Sequence, residues 1–196
     1  RNWQGTEKFT FAYGYGYGST AVQLVSAINV VANDGVYVGP KLVSEVVKAD
    51  GTREATTAAP TRRVISSATA ATMRTLMTDV VCYGTAQLAK MPGLSVAGKT
   101  GTGYIRQDNG TYVKDDGSRA YFASFVGFLP ASNPEFTVLV SVDEPDPSSR
   151  DRFGGTAAAP VFARIGQVIV NELDLRPSAG DTGCVGSRPA ELGPGH

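Results

Sequence analysis

Histidine is nearly absent from this chain: the one copy, His196, is its last residue, so neither a histidine-based catalytic triad nor a histidine metal centre is expected within it. Cysteine is almost as scarce. Cys82 and Cys184 are too few for a disulfide scaffold and have no partner at metal-ligand spacing, so structural zinc is excluded and no cofactor is implied. Cys184 lies in a Gly/Pro/Ser-rich stretch, and Cys82 is therefore expected to be a small buried hydrophobe on a helix face rather than half of a Cys82–Cys184 bridge. An excess of either charge is also missing. Lys plus Arg number 18 and Asp plus Glu 18, which leaves out the basic footprint of a nucleic-acid binder. No apolar run reaches the roughly 18 residues that cross a bilayer. Neither Met nor a signal peptide opens the chain at Arg1-Asn2-Trp3-Gln4, so it is expected to be a piece of a longer product.

What is present suffices for a core. With 196 residues, 42% of them hydrophobic and 18% charged, the chain fits one domain or most of one. Tyr13-Gly14-Tyr15-Gly16-Tyr17-Gly18 reads as a tight, ring-packed turn in preference to a nucleotide loop. Ser19 or Thr20 can then cap a helix with Leu24, Val25, Ile28, Val31 and Ala32 on one face, ended by Asn33-Asp34-Gly35. Residues 42–48 and 53 onward predict a peripheral hairpin turning at Asp50-Gly51. Ser66 or Ser67 caps a second helix whose stripe is Met73, Leu76, Met77, Val80 and Val81. Three strands follow at 94–102, 120–129 and 136–143, and their short links favour antiparallel pairing. A third helix places Val161, Phe162, Ile165, Val168 and Ile169 on one side. The predicted class is α+β, an antiparallel sheet flanked by helices over residues 1–175, with a flexible Pro/Gly-rich tail at 176–196.

One lysine supports two readings. Gly93-Leu94-Ser95-Val96-Ala97-Gly98-Lys99-Thr100 fits the phosphate-loop pattern, and the run from Val138 to Asp143-Glu144 can pass for a magnesium-binding strand, which together spell an NTPase. A phosphate loop must start a helix at Thr100, however, and Gly101-Thr102-Gly103 opposes one there. Leu94, Val96 and Gly98 alternate with Ser95, Ala97 and Lys99 as in a strand. A strand of this composition offers an ammonium, hydroxyls at Thr100 and Thr102, and side-chain-free approaches at Gly101 and Gly103 to a docking peptide and its carboxylate.

The run Val96-Ala97-Gly98-Lys99-Thr100-Gly101-Thr102 is preceded by Gly84-Thr85-Ala86 and followed by Phe153-Gly154-Gly155 and Ala158-Ala159-Pro160-Val161-Phe162. In this order the motifs resemble the C-terminal half of a penicillin-binding protein transpeptidase domain of the class B, cell-division type, over most of the chain. The resemblance implies the serine β-lactamase/penicillin-binding fold. It also implies a D,D-transpeptidase that cross-links peptidoglycan stem peptides through an acyl-serine and binds β-lactams. By the same resemblance Lys99 supplies positive charge, Thr100 and Thr102 bind the substrate carboxylate, and the Thr102 N–H is half of an oxyanion hole. Tyr121 and Phe153 match positions lining the substrate cleft, although core packing is as good a reading for Tyr121. Arg152 departs from the aromatic residue often found beside Phe153, and an arginine there can meet an anionic substrate group.

The family's Ser-x-x-Lys nucleophile and Ser-x-Asn segment do not occur; Ser44 to Lys48 and Ser95 to Lys99 are each one residue too long. The expected partner is therefore an N-terminal half carrying both, with cell-division proteins beyond it, on the outer face of the cell membrane. The chain alone is expected to be inactive. The alternatives are a non-catalytic penicillin-recognition remnant and the phosphate-loop NTPase.

Overall fold

The structure, a computed structural model, describes residues 5–14, 16, 18–146, 148, 150–175, 181, 183 and 184. A short helix α1 (Glu7–Phe11) precedes α2 (Ala21–Ala32). Between them Gly14 and Gly16 turn the chain at positive φ; Tyr13 is exposed, and Tyr15 and Tyr17, on which the ring-packed turn also depends, lie outside the described residues. Thr20 caps α2: its hydroxyl accepts from the Gln23 N–H while the Gln23 side chain accepts from the Thr20 N–H, satisfying two donors that a helix start leaves open.

Strand β1 (Val36–Val38) leads to the expected hairpin of β2 (Glu45–Val47) and β3 (Arg53–Ala55), and β1 itself pairs antiparallel with β4 (Thr61–Arg63). Gly51 supplies the positive φ of the hairpin turn, and the Asp50 carboxylate accepts from the Thr52 N–H, a bond that lowers its pKa. The hairpin is solvent-exposed on both strands, hence peripheral.

Helix α3 (Ser67–Cys82) starts at Ser66, whose hydroxyl accepts from the Thr69 N–H. Its buried face is Ala70, Met77, Val81 and Cys82, which corrects the predicted stripe. Met73 and Leu76 are 38% and 49% exposed. They lie roughly 60° and 120° around the helix from the Ala70–Met77–Val81 line, at about 100° per residue. The small Ala70, passed over by a reading that weighs side-chain size, is fully buried.

The sheet is β5 (Ala97–Tyr104), β6 (Tyr121–Leu129) and β7 (Phe136–Asp143), antiparallel in the order β5-β6-β7. Lys99 stands opposite Val126, Thr100 opposite Phe125, and Phe125 opposite Val140. Leu94 lies before the strand rather than in it, held in an isolated bridge to Met91 across Gly93, which is at positive φ. In the loop between β5 and β6, Lys114 donates to Glu144 at 2.8 Å, and this bond raises the Lys114 pKa.

A π-helical turn (Gly154–Ala158) runs into α4 (Ala159–Glu172). Here too the stripe is corrected: Ala159, Phe162 and Gly166 are buried, whereas Val161, Ile165 and Val168 are exposed. A Cβ on Gly166 would stand 2.7 Å from the Met91 sulfur, so a larger residue here would have to push that side chain aside. Phe162 meets Phe125 edge to face at 4.7 Å, and both are fully buried with Phe128 and Leu129. Each such side chain contributes about 1.5–3 kcal/mol of burial. One face of the sheet is covered by α4 and the turn before it, the other by Val31 of α2 and Met77 of α3 against Ala97 and Phe128. The architecture is α+β, as expected.

The reading of Cys82 is overturned. Cys82 and Cys184 form a disulfide across 102 residues, with Cα atoms 5.2 Å apart. Much of 176–196 lies outside the described residues, but Asp181, Gly183 and Cys184 are tied down rather than loose. The Asp181 carboxylate accepts from the Ser95 N–H and hydroxyl, both at 2.8 Å, and from the Ser132 hydroxyl at 2.9 Å. Among the described residues no helix is long and apolar enough to cross a membrane. An open apolar groove of about 620 Å³ separates α2 from β7, lined by Val22, Val25, Val38, Pro40 and Leu139.

Candidate functional site

The sequence reading hinges on whether the backbone at Lys99 is extended or curled. It is extended: β5 runs from Ala97 through Lys99, Thr100, Gly101, Thr102 and Gly103 to Tyr104, paired residue by residue with β6. No helix starts at Thr100, which removes the phosphate-loop reading, since that loop works by wrapping consecutive N–H groups around phosphates at a helix start. Glu144, the other acid of the supposed magnesium strand, is paired with Lys114.

Among the described residues no strand pairs with the outer edge of β5, so its main-chain groups face an open side. Such an edge accepts an extended peptide by strand addition. Lys99 is exposed, and its Nζ donates to the Thr100 carbonyl at 2.9 Å and reaches the Thr100 hydroxyl at 3.5 Å. Among the described residues no carboxylate forms an ion pair with it. An ammonium held by neutral oxygens keeps its charge available to an anion.

Two supports that sequence reasoning did not identify fix the threonines. Thr85, between α3 and β5, shares a hydroxyl–hydroxyl hydrogen bond of 2.8 Å with Thr100. Gly154 donates its N–H to the Thr102 hydroxyl at 3.1 Å. Both glycines of the pair are seats: a Cβ on Gly154 would stand 2.2 Å from the Ser124 carbonyl oxygen and 2.4 Å from that of Gly101, and one on Gly155 would stand 2.2 Å from the Thr85 carbonyl oxygen. The turn at Gly154–Ala158 is therefore laid directly on β5, β6 and the Thr85 loop. The quoted Gly84-Thr85-Ala86 and Phe153-Gly154-Gly155 were the available signals, but strings do not show that they touch.

Tyr121 and Phe153 come together at this end of the strand, ring centroids 6.4 Å apart and edge to face, with Tyr104 tilted against Tyr121 at 5.3 Å. Tyr121 is half-buried and Phe153 44% exposed, so the pair forms a wall at the surface and not part of the core. Two guanidinium groups lean on it. Arg119 lies 4.6 Å from the Tyr104 ring, and Arg152 lies 4.8 Å from Phe153 and 5.5 Å from Tyr121. With Lys99, the strand and its wall carry three cations.

The model of the penicillin binding protein transpeptidase domain matches residues 1–167. The stage V sporulation protein D of Bacillus subtilis is 33% identical over 87% of this chain and 26% of its own length. A probable peptidoglycan D,D-transpeptidase, PenA of Neisseria flavescens, is 32% identical over 91% of this chain and 40% of its own. Among solved structures, penicillin-binding protein 3 of Mycobacterium tuberculosis in complex with aztreonam superposes with a TM-score of 0.79 at 30% identity, covering 90% of this chain and 40% of that one. The chain thus spans from about a quarter to two-fifths of the length of these relatives.

Proposed function

Because the chain belongs to the penicillin-binding protein transpeptidase family, we propose that it forms the strand side of a cell-division-type serine D,D-transpeptidase and works with a complementary half that carries the nucleophile. A serine of that half attacks the penultimate D-Ala carbonyl of a stem peptide, the terminal D-Ala leaves with a proton, and an amine of a neighbouring stem takes the acyl group and releases the serine. β-Lactams acylate the same serine.

The observation that carries this reading is the extended, open-edged run from Lys99 to Gly103 with both threonine hydroxyls braced from behind. On it the substrate peptide aligns along Gly101 and Gly103, its terminal carboxylate meets the Thr100 and Thr102 hydroxyls, Lys99 supplies the compensating charge, and the Thr102 N–H offers one oxyanion donor. An oxyanion donor counts for about 2.7–4 kcal/mol in kcat only when a second one, here the nucleophile's own N–H, completes the pair. Tyr121 and Phe153 wall the cleft. The enzyme acts outside the cytoplasm, where its wall substrate lies and where a Cys82–Cys184 bond persists.

Fluorescent penicillin tests the reading. The complete protein is expected to become covalently labelled, with the label lost on prior treatment with unlabelled β-lactam, and the 1–196 chain alone is expected to stay unlabelled. No label on the complete protein would favour the non-catalytic remnant, and label on the chain alone would place the nucleophile within it. A second test concerns Thr85. Thr85→Val deletes the hydroxyl that holds Thr100, and a lost hydrogen bond of about 0.5–1.5 kcal/mol predicts a roughly three- to tenfold slower acylation of the complete protein. Thr85→Ser should restore most of the rate. Equal rates for Val and wild type would mean that Thr100 needs no brace.

A further inference from the structure

Arg119 is a cation that the strand machinery assigned above does not use, and the fold holds it beside that strand. The Ile105 N–H donates to the Ala120 carbonyl at 3.0 Å, which carries the β5–β6 ladder one step past Tyr104 and fixes where Arg119 leaves the sheet. On its other side the turn at 114–118 is closed by the Lys114 N–H on the Ser118 carbonyl at 2.8 Å, and the Lys114 side chain ties that turn to Glu144. Between these anchors the exposed Arg119 guanidinium lies 4.6 Å from a single ring, that of Tyr104.

Its charge is not neutralised. Among the described residues no acid forms an ion pair with Arg119. Glu144 is taken by Lys114, and Asp116 accepts from the Ser118 N–H at 2.8 Å. A guanidinium resting on one aromatic ring is restrained while its N–H donors stay available to an anion.

Alternation along β5 gives this cation an address. Thr100, Thr102 and Tyr104 stand on the same face of the strand, so Tyr104 lies about 7 Å beyond Thr102. In the transpeptidase reading the donor's terminal carboxylate meets the Thr100 and Thr102 hydroxyls, and its attacked carbonyl meets the Thr102 N–H. The donor therefore runs on past Gly103, and its next residue, the one before the penultimate D-Ala, arrives beside Tyr104 and Arg119.

We propose that Arg119 is a specificity-determining residue that selects acyl donors with a carboxylate on the side chain of the residue before the penultimate D-Ala. This rests on the transpeptidase reading and deepens it by naming the donor class. Two anions of one extended donor are then met by two cations along β5: Lys99 serves the terminal carboxylate, and Arg119 the side-chain carboxylate.

The test uses the complete protein and peptide donors that end in a D-Ala thioester of thioglycolate. The serine–acyl bond forms as the C–S bond breaks, and the thiol that leaves with the proton is counted with a thiol reagent. The first pair differs only in the residue before D-Ala, whose side chain ends in a carboxylate or in the corresponding carboxamide. A second pair carries the same change one residue farther from the thioester, where strand alternation turns it to the opposite side. Wild-type protein is expected to be acylated about three- to fivefold faster by the acidic member of the first pair, the scale of one exposed ion pair, and equally by both members of the second. The preference should shrink as salt rises. Arg119→Gln should abolish it by slowing the acidic donor alone, with no change in thermal midpoint, and Arg119→Lys should retain part of it. If Arg119→Gln slows both members alike or leaves their ratio unchanged, or if the second pair shows the same preference, this inference is overturned while the transpeptidase reading stands. If no donor acylates wild-type protein, that reading falls and takes the inference with it.

Discussion

Gly154→Ala in the complete protein is expected to slow acylation by fluorescent penicillin about a hundredfold, the cost of displacing catalytic groups by about 1 Å. The added methyl has nowhere to go. It would sit 2.2 Å from the Ser124 carbonyl oxygen and 2.4 Å from the Gly101 carbonyl oxygen, and both are main-chain atoms of paired strands that cannot rotate aside. Either the Gly154–Ala158 turn lifts and its N–H bond to the Thr102 hydroxyl breaks, or β5 shifts at Gly101. Both outcomes disturb the strand that is to hold the substrate carboxylate. Overpacking of this kind also costs about 1–3 kcal/mol of stability, so the thermal midpoint should fall with the rate. Gly18→Ala is the control, since a Cβ there meets nothing within 4 Å. Wild-type rates for Gly154→Ala would mean that the close seat of this turn on β5 does not position Thr102.

Much of the frame was legible before the coordinates because it rests on local rules. Ser19-Thr20 announces a helix cap, Asp50-Gly51 a hairpin, and the runs that became β6 and β7 are long and apolar. The extended state of Lys99 was legible for a negative reason: two glycines after Thr100 are poor material for the helix that the phosphate-loop reading required. What escaped was non-local. Strands β1 and β4 are three residues each and pair across the whole hairpin insertion, so no run marks them. The stripes on α3 and α4 were misjudged because their buried faces include Ala70, Ala159 and Gly166, small residues that a reading weighted by apolar area passes over.

The candidate site divides in the same way. Lys99 and its strand neighbours were readable as a string, and so was the oddity of Arg152 next to Phe153. The bracing of that string was not. Thr85 reaches Thr100 across 15 residues, and Gly154 reaches Thr102 across 52. Tyr121 was balanced between core and cleft in the sequence; its partial exposure and its contact with Phe153 put it in the surface wall.

Breaking the Cys82–Cys184 bond is expected to destabilise the protein by about 2–5 kcal/mol, which for a domain of this size lowers the thermal midpoint by roughly 5–15 °C. The bond closes a loop of 102 residues, long enough for a large entropic effect on the unfolded chain. It also has a specific place in the fold. Cys82 is the last residue of α3, three before the Thr85 that holds Thr100, and Cys184 follows closely on Asp181, which binds Ser95 and Ser132 on the far side of the same loop. The two attachments clamp both ends of the 82–95 connection between α3 and β5. Cys184→Ser should therefore lower the midpoint about as much as the Cys82→Ser/Cys184→Ser pair, since either change breaks the one bond, whereas adding Asp181→Asn to Cys184→Ser should cost further stability. Acylation should slow less than in Thr85→Val, because the hydroxyl contact at Thr100 survives. If a reductant frees both thiols, as counted by alkylation and mass, and the midpoint does not move, the strap at Asp181 alone holds this segment and the bridge is dispensable for the fold.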